Sequence, residues 1–232
     1  MNIVDTPSQN FEPRRNGMTP RILILHYTEY PTGAAWLEAA LPPESKVSAH
    51  YMIDYDGTVH RMVDESMRAW HAGVSHWEGE TDINSLSVGI EIQNDGKEPY
   101  PDTQLDTLTA LCTDIITRHG ILPRHVLAHS DIAPTRKPDP GPHFPWVRLA
   151  KDGIGLWVDA HKKNAQPLEH PEDIMPLLVE YGYDPAVDIK TLVAAFQRHF
   201  EPDVILKTPA HAGVPTTNTV HILQNLLKQA GA

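Results

Sequence analysis

The chain has 232 residues, and its 41% hydrophobic and 21% charged content is ordinary for a soluble globular protein. Its net charge of −11 argues against binding to a phosphate backbone, which needs clustered lysines and arginines, so we expect no nucleic-acid partner. A single cysteine, Cys112, excludes an internal disulfide and a cysteine-rich zinc site. Any metal site must therefore combine carboxylates with some of the 14 histidines.

The sequence contains no segment that predicts membrane insertion or export. No apolar run approaches the roughly 18 to 20 residues that a transmembrane helix needs. The first residues, MNIVDTPSQNFEPRRNG, are polar and lack the basic-then-apolar pattern of a signal peptide. We therefore expect a cytoplasmic protein if the chain is the native product, and a periplasmic or outer-membrane-associated protein if it is a processed form.

The N-terminal part alternates short apolar runs with helical patterns. Residues 21–26, RILILH, predict a buried strand. Residues 32–41 predict a helix that two prolines stop, and residues 50–63 predict a hairpin around an Asp-Gly turn. Residues 87–93 and 125–129 predict two further short strands.

The clearest helix is predicted over residues 101–119, where apolar side chains recur every three or four positions. Asp102 can cap this helix, Gly120 can end it, and Cys112 is expected to be a buried thiol on its apolar stripe. Strands that alternate with helices and include one hairpin predict an α/β domain over residues 1–160. This domain should have a mixed central sheet with helices packed on it.

The composition changes after this first domain. Residues 161–171 are polar and contain prolines, which indicates a linker. Residues 172–232 contain three predicted helices, at 174–181, 189–200 and 217–230, separated by glycines and prolines. We predict a small three-helix domain that packs against the first domain, because a unit of about 60 residues is marginally stable alone.

Two histidines and an aspartate form a candidate metal site. His26 and His129 each end a predicted strand, and strand ends gather at one edge of an α/β sheet. Asp139 lies in the same stretch as His129, HSDIAPTRKPDPGP (residues 129–142), whose prolines stiffen a loop that folds back. Singly these are ordinary structural residues, but together they match the three protein ligands of a catalytic zinc.

Glu91 and Lys137 are candidates for chemistry beside that metal. Glu91 interrupts an apolar strand, where desolvation would raise its pKa and suit it to act as a general base. Lys137 lies two positions before Asp139 on the same loop, where its charge can stabilise an oxyanion.

Several other residues have structural as well as functional interpretations. In RAWHAGV (residues 68–74), Trp70, His71 and Ala72 suggest a cleft wall, and a buried tryptophan in a turn is the equal alternative. Asp131 and Arg136 are expected to brace the proline-rich loop through a hydrogen bond or an ion pair. Six further histidines are expected at surface or cap positions: His119, His161, His170, His199, His211 and His221.

Five stretches follow the order of one enzyme family: ILHYT (24–28), VSAHYMIDYDGTVHRMV (47–63), RAWHAGVS (68–75), NSLSVGIEI (84–92) and HSDIAPTRKPDPGP (129–142). Through these motifs the chain resembles the zinc-dependent N-acetylmuramoyl-L-alanine amidases of the type-2 amidase family. That family also includes phage lysozyme-type amidases and the peptidoglycan recognition proteins. The tail resembles a helical peptidoglycan-binding module more weakly, through LLVEYGYDP (177–185) and VAAFQRHF (193–200).

The resemblance implies a role for each candidate residue. It implies one zinc ion on the two histidines and the aspartate, with the glutamate as catalytic base and the lysine as oxyanion stabiliser. It implies hydrolysis of the amide between the lactyl group of N-acetylmuramic acid and L-alanine, in peptidoglycan or muropeptides, during cell-wall turnover or recycling. The residues concerned are His26, His129, Asp139, Glu91, Lys137 and, for the substrate cleft, Trp70, His71 and Ala72.

The choice of substrate and two alternative functions stay open at this point. Family members that recycle 1,6-anhydro muropeptides have arginines just before the VSAH motif and in the loop after HAGVS. Here Lys46 holds the first position and residues 76–84 contain no arginine, which favours broader cleavage. The alternatives are a non-catalytic peptidoglycan-binding protein, which typically lacks a metal ligand, and a zinc peptidase that acts on stem peptides.

Overall fold

The computed structural model describes residues 1–159 and 165–231. Residues 161–164 of the predicted linker, including His161, lie outside these ranges. Within the described ranges, no helix combines the length and the apolar character needed to cross a membrane. Eight strands occur in this part of the chain: β1 (Ile3–Asp5), β2 (Phe11–Pro13), β3 (Ile22–Tyr27), β4 (Tyr51–Ile53), β5 (Val59–Arg61), β6 (Met67–Ala69), β7 (Ser87–Ile92) and β8 (Val126–Ala128).

Six of these strands form one mixed sheet in the order β1-β5-β4-β7-β3-β8. The central strands β3 and β7 run parallel and are buried along almost their whole length, as their continuous apolar sequences predict. β4 and β5 form the predicted antiparallel hairpin, and β2 pairs with β6 as a separate ribbon. Because the register of β3 on β7 pairs His26 with Glu91, both side chains lie on the same face of the sheet.

Helices cover both faces of the sheet. The described residues form α1 (Gly33–Ala40), α2 (Ile83–Leu86), α3 (Asp102–His119), α4 (His129–Ile132), α5 (Trp146–Ala150), α6 (Met175–Tyr181), α7 (Ile189–Phe200), α8 (Pro202–Lys207) and α9 (Thr217–Ala230). On β3, Leu23 and Leu25 join the apolar stripe of α3 in one cluster. Ile22 and Ile24 point to the other face and join a cluster with α6, α7 and α9. The sheet is therefore the middle of three layers, and the C-terminal helices form one outer layer.

The α/β class, the mixed sheet and the three C-terminal helices are as predicted, and Cys112 is buried on the stripe of α3. Two details differ. Pro101 rather than Asp102 is the N-cap of α3, and its side chain makes no capping hydrogen bond. His129 begins α4 instead of ending a strand. The short elements β1, β2, β6, α2, α4, α5 and α8 were not predicted, because three to six residues are too few to show a periodicity.

Candidate active site

Three side chains converge where β3 and β8 end. Nδ1 of His26, Nδ1 of His129 and Oδ2 of Asp139 form a triangle in which each pair of atoms is 3.0 Å apart. All three side chains are buried. Tetrahedral zinc holds its ligands at about 2.0–2.1 Å, which places them about 3.3 Å from one another. A small expansion of the triangle would therefore accommodate a metal ion.

Hydrogen bonds behind His26 determine which of its nitrogens carries the proton. The Ser87 hydroxyl donates to the Ile83 carbonyl at 2.7 Å. The Ser87 oxygen is then the acceptor for Nε2–H of His71, at 3.2 Å. This leaves Nδ1 of His71 to accept from Nε2–H of His26, at 3.0 Å. Nδ1 of His26 consequently keeps a lone pair directed into the triangle.

The second histidine is fixed in the same tautomer by a backbone carbonyl. Nε2–H of His129 donates to the oxygen of Ala72 at 3.1 Å, and a carbonyl can only accept. Burial, together with the neighbouring His129, lowers the pKa of His26 to about 4, so that ring is neutral at pH 7. With Nε2 acting as the donor in both rings, Nδ1 of each ring faces the Asp139 carboxylate oxygen across the triangle. Two imidazole nitrogens and a carboxylate oxygen are a donor set that zinc prefers.

The proline-rich loop brings its two ligands together by folding back on itself. The N–H of Ser130, next to His129, donates to the carbonyl oxygen of Asp139 at 3.0 Å. Arg136 donates to the Ala72 carbonyl, which also accepts from His129. Of the two contacts expected for Arg136, a hydrogen bond or an ion pair, the structure has hydrogen bonds, and they are to backbone oxygens.

Asp131 braces the loop through a different set of partners. Its buried carboxylate accepts hydrogen bonds from the Ala128 N–H, the Tyr183 hydroxyl and Nδ1 of His199. The expectation that His199 lies at the surface is wrong, since its side chain is 1% exposed. The reason is that α7 is enclosed on most of its circumference, so that residues outside its main apolar stripe are buried too.

Glu91 lies beside the ligand triangle on the neighbouring strand. Its side chain is buried, and Oε2 has no hydrogen-bond partner among the described residues. Burial, reinforced by the like charge of Asp139, raises the pKa of Glu91 well above its usual value. A poorly solvated carboxylate with a free oxygen is suited to accept and return a proton.

These groups open onto a cleft of about 630 Å³. Lys137 lines it, and its side chain makes no hydrogen bond or ion pair with the described residues. The positive charge of Lys137 opposes the rise in the pKa of Glu91. Trp36 of α1, Trp70 and Lys46 line the same cleft. The cleft therefore combines aromatic surface with two lysine side chains, around a buried acidic centre.

The three residues of the predicted cleft wall have different positions. Trp70 and His71 line the cleft, whereas Ala72 is fully buried and contributes its carbonyl to His129 from behind. Asn84, which the sequence reasoning missed, also lines the cleft and accepts from the N–H groups of His71 and Ala72 at 3.1 and 2.8 Å. The sequence feature that could have indicated this role is a polar residue at the start of the NSLSVGIEI stretch.

Sequence comparison finds a family with this arrangement of motifs. A family model described as N-acetylmuramoyl-L-alanine amidase matches residues 16–142. The chain is 36% identical to the N-acetylmuramoyl-L-alanine amidase AmiD of Escherichia coli, across 99% of this chain and 91% of that protein. It is 34% identical to the 1,6-anhydro-N-acetylmuramyl-L-alanine amidase AmpD of Citrobacter freundii, across 62% of this chain and 86% of that protein.

Solved structures of relatives, two of them with a bound ligand, resemble nearly the whole chain. The complex of E. coli AmiD with the substrate anhydro-N-acetylmuramic acid-L-Ala-D-γ-Glu-L-Lys matches with a TM-score of 0.82 and 34% identity, over 97% of this chain and 93% of that chain. AmpDh3 of Pseudomonas aeruginosa, in complex with anhydromuramic pentapeptide, matches with a TM-score of 0.78 and 31% identity, over 93% and 94% of the two chains. At such coverage the likeness extends to the C-terminal helices as well as to the sheet.

Proposed function

This chain belongs to the N-acetylmuramoyl-L-alanine amidase family, and from that premise we propose that it uses one zinc ion to release the stem peptide from anhydro-muropeptides. The observation that carries the proposal is the triangle of His26, His129 and Asp139 beside the free carboxylate oxygen of Glu91. The choice of anhydro-muropeptides rests on the ligands in the AmiD and AmpDh3 complexes, both of which match this chain almost end to end.

His26, His129 and Asp139 would hold the zinc ion. When bound there, zinc supplies Lewis acidity, which makes water a usable nucleophile near neutral pH. Glu91 accepts the proton of the attacking water at Oε2 and returns it to the amide nitrogen that leaves. A bond forms between the water oxygen and the lactyl carbonyl carbon, and the C–N bond to L-alanine breaks. The products are a lactyl carboxylic acid and a peptide with a free α-amine.

Lys137 and the walls of the cleft position the substrate for this reaction. The Lys137 ammonium group lies on the loop that carries Asp139, and it stabilises negative charge on the carbonyl oxygen during attack. Trp70 presents aromatic surface to a sugar ring. Lys46 lines the cleft at the position where family members that recycle anhydro-muropeptides have arginine. A reducing-end muropeptide is therefore a second substrate to test.

Mass spectrometry of the products tests the reaction. Metal-replete protein is incubated separately with an anhydro-muropeptide and with its reducing-end counterpart. We expect the anhydro-muropeptide to gain one water and to separate between the lactyl group and L-alanine. Cleavage within the peptide would favour the zinc-peptidase alternative, and intact substrate would contradict the proposal.

Exchange of Glu91 tests the proposed base. We expect Glu91→Gln to retain about one zinc per chain and to lose turnover about 100-fold or more, because the amide cannot accept a proton. Glu38→Gln, the same exchange on the exposed side of α1, is the matched control and should keep both properties. Turnover of Glu91→Gln at the wild-type rate would remove Glu91 from the mechanism.

His26→Ala should lose zinc, measured by atomic absorption.

A further inference from the structure

The carboxylate of Asp131 joins the metal-binding loop to the C-terminal helices. Oδ2 accepts from the Ala128 N–H at 2.8 Å and from Nδ1 of His199 at 2.7 Å, and Oδ1 accepts from the Tyr183 hydroxyl at 2.8 Å. Both Asp131 and His199 are 1% exposed at the side chain. A buried carboxylate with three donors of this kind is held in one orientation.

Asp131 in turn fixes the segment that presents a metal ligand. Ala128 is the last residue of β8, and His129 is the first residue of α4. Asp131, the third residue of α4, reaches back to the Ala128 N–H and so closes the turn from strand to helix immediately before His129. The orientation of His129 therefore depends on the Asp131 carboxylate through a short piece of backbone.

Two of the three donors come from the C-terminal region, one on a helix and one just after a helix. Tyr183 follows α6, and its ring contacts Trp77 at a centroid distance of 5.1 Å. His199 lies on α7 between the rings of Trp146 and Phe200, each stacked at 3.8 Å. These contacts hold the two donors in place before any ligand arrives, so the C-terminal helices reach the catalytic loop through fixed hydrogen bonds.

We propose that the C-terminal helices position the metal ligands: Tyr183 and His199 hold Asp131 so that the turn carrying His129 is set before the metal binds. The inference rests on the proposed zinc site. Metal affinity includes the free energy needed to organise the ligands. Removing one donor raises that free energy, and the loss appears in zinc affinity even though neither donor touches the metal.

Single-atom exchanges test this proposal with a matched control. Tyr183→Phe removes only the hydroxyl that donates to Asp131. Tyr181→Phe removes a hydroxyl from a second tyrosine that also packs on Trp77 but makes no side-chain hydrogen bond with the described residues. We expect zinc affinity, measured by competition with a chelator, to fall about fivefold in Tyr183→Phe and to stay unchanged in Tyr181→Phe. Equal zinc affinity in the two variants would overturn the proposal.

Exchanges at His199 give a rescue test. His199→Phe keeps the stacked ring but loses the donor, and we expect zinc affinity to fall about tenfold. His199→Asn restores an N–H near the position of Nδ1 and should recover most of the affinity. The visible spectrum of the cobalt(II) form should change in His199→Phe and return towards wild type in His199→Asn. If His199→Asn restores neither the zinc affinity nor the cobalt(II) spectrum, the proposal is overturned. If the wild-type protein itself does not bind zinc, the proposed function is refuted instead.

Discussion

Individual histidines in this site are defined by their hydrogen-bond partners more than by their position in the chain. His71 lies over Gly89, where a Cβ atom would come within 2.5 Å of the His71 ring. Glycine at that position lets His71 reach both His26 and Ser87, and so fixes the protonation of His26. Residue identity supplied the candidate ligands, and local contacts leave Nδ1 of both histidines facing the triangle.

Glu65 offers a residue-scale test of electrostatic stability away from the site. Burial opposes its ionisation, but hydrogen bonds from Arg118, His119 and Tyr51 lower the pKa of Glu65 to about 2. A carboxyl with a lowered pKa stabilises the fold above its unfolded pKa, near 4.5, and loses that contribution as the pH falls towards 2.

We therefore expect Glu65→Gln to lower the free energy of unfolding by about 1–2 kcal/mol at pH 7, a value reduced for the partial exposure of the pair. The difference from wild type should shrink between pH 4.5 and pH 2. Urea unfolding of metal-free protein at several pH values measures it, and Glu44→Gln, at an exposed position, is the control. A difference that is constant with pH would contradict the assignment.

Among the elements, the end of α6 shows how a backbone conformation permits packing between layers. Gly182 follows α6 with a φ of 139°, and a Cβ atom there would lie 2.5 Å from the Trp77 ring. Gly182 thus adopts a backbone conformation that other residues rarely adopt, and its lack of a side chain leaves room for the buried Trp77 ring. Gly120 ends α3 with a φ of 64° but has no atom within 4 Å of an added Cβ.

These two glycines predict substitutions of different severity. We expect Gly182→Ala to lower the free energy of unfolding by about 3 kcal/mol, since backbone strain and overpacking add. Gly120→Ala should cost about 1 kcal/mol, because only the strain applies. Urea unfolding measures both, and similar losses in the two variants would show that the Trp77 contact is unimportant.

At the scale of the whole molecule, the C-terminal helices share an apolar core with the sheet. The apolar cluster on their side of the sheet includes Ile22, Ile24 and Leu127 from the strands, together with Phe196 and Leu223 from the helices. Removal of the helices would expose the apolar side chains that β3 and β8 contribute to this cluster to water. The linker position predicted from composition is compatible with this, because a polar connection does not prevent the two ends from sharing a core.

Truncation tests the dependence of the sheet on this layer. We expect a chain that lacks residues 168–232 to aggregate or to lose fixed tertiary packing, because the exposed face is large and apolar. Size-exclusion chromatography and near-ultraviolet circular dichroism measure these properties. Co-expression of the missing segment as a separate chain should restore soluble protein. A truncated chain that is monomeric and melts like wild type would contradict the three-layer description.

Much of this protein could be read from local patterns. The long helices, the central strands, the candidate ligands and the family resemblance all depend on residue types at short spacings, which the chain carries wherever it folds. Local patterns did not predict which nitrogen of each histidine faces the triangle. They also did not predict the hydrogen bonds from His26 through His71 to Ser87, or the contact of His199 with Asp131. Asp131 meets Tyr183 and His199 across 52 and 68 residues of sequence. Such contacts depend on how the layers pack, and packing brings together residues whose separation along the chain leaves no local pattern.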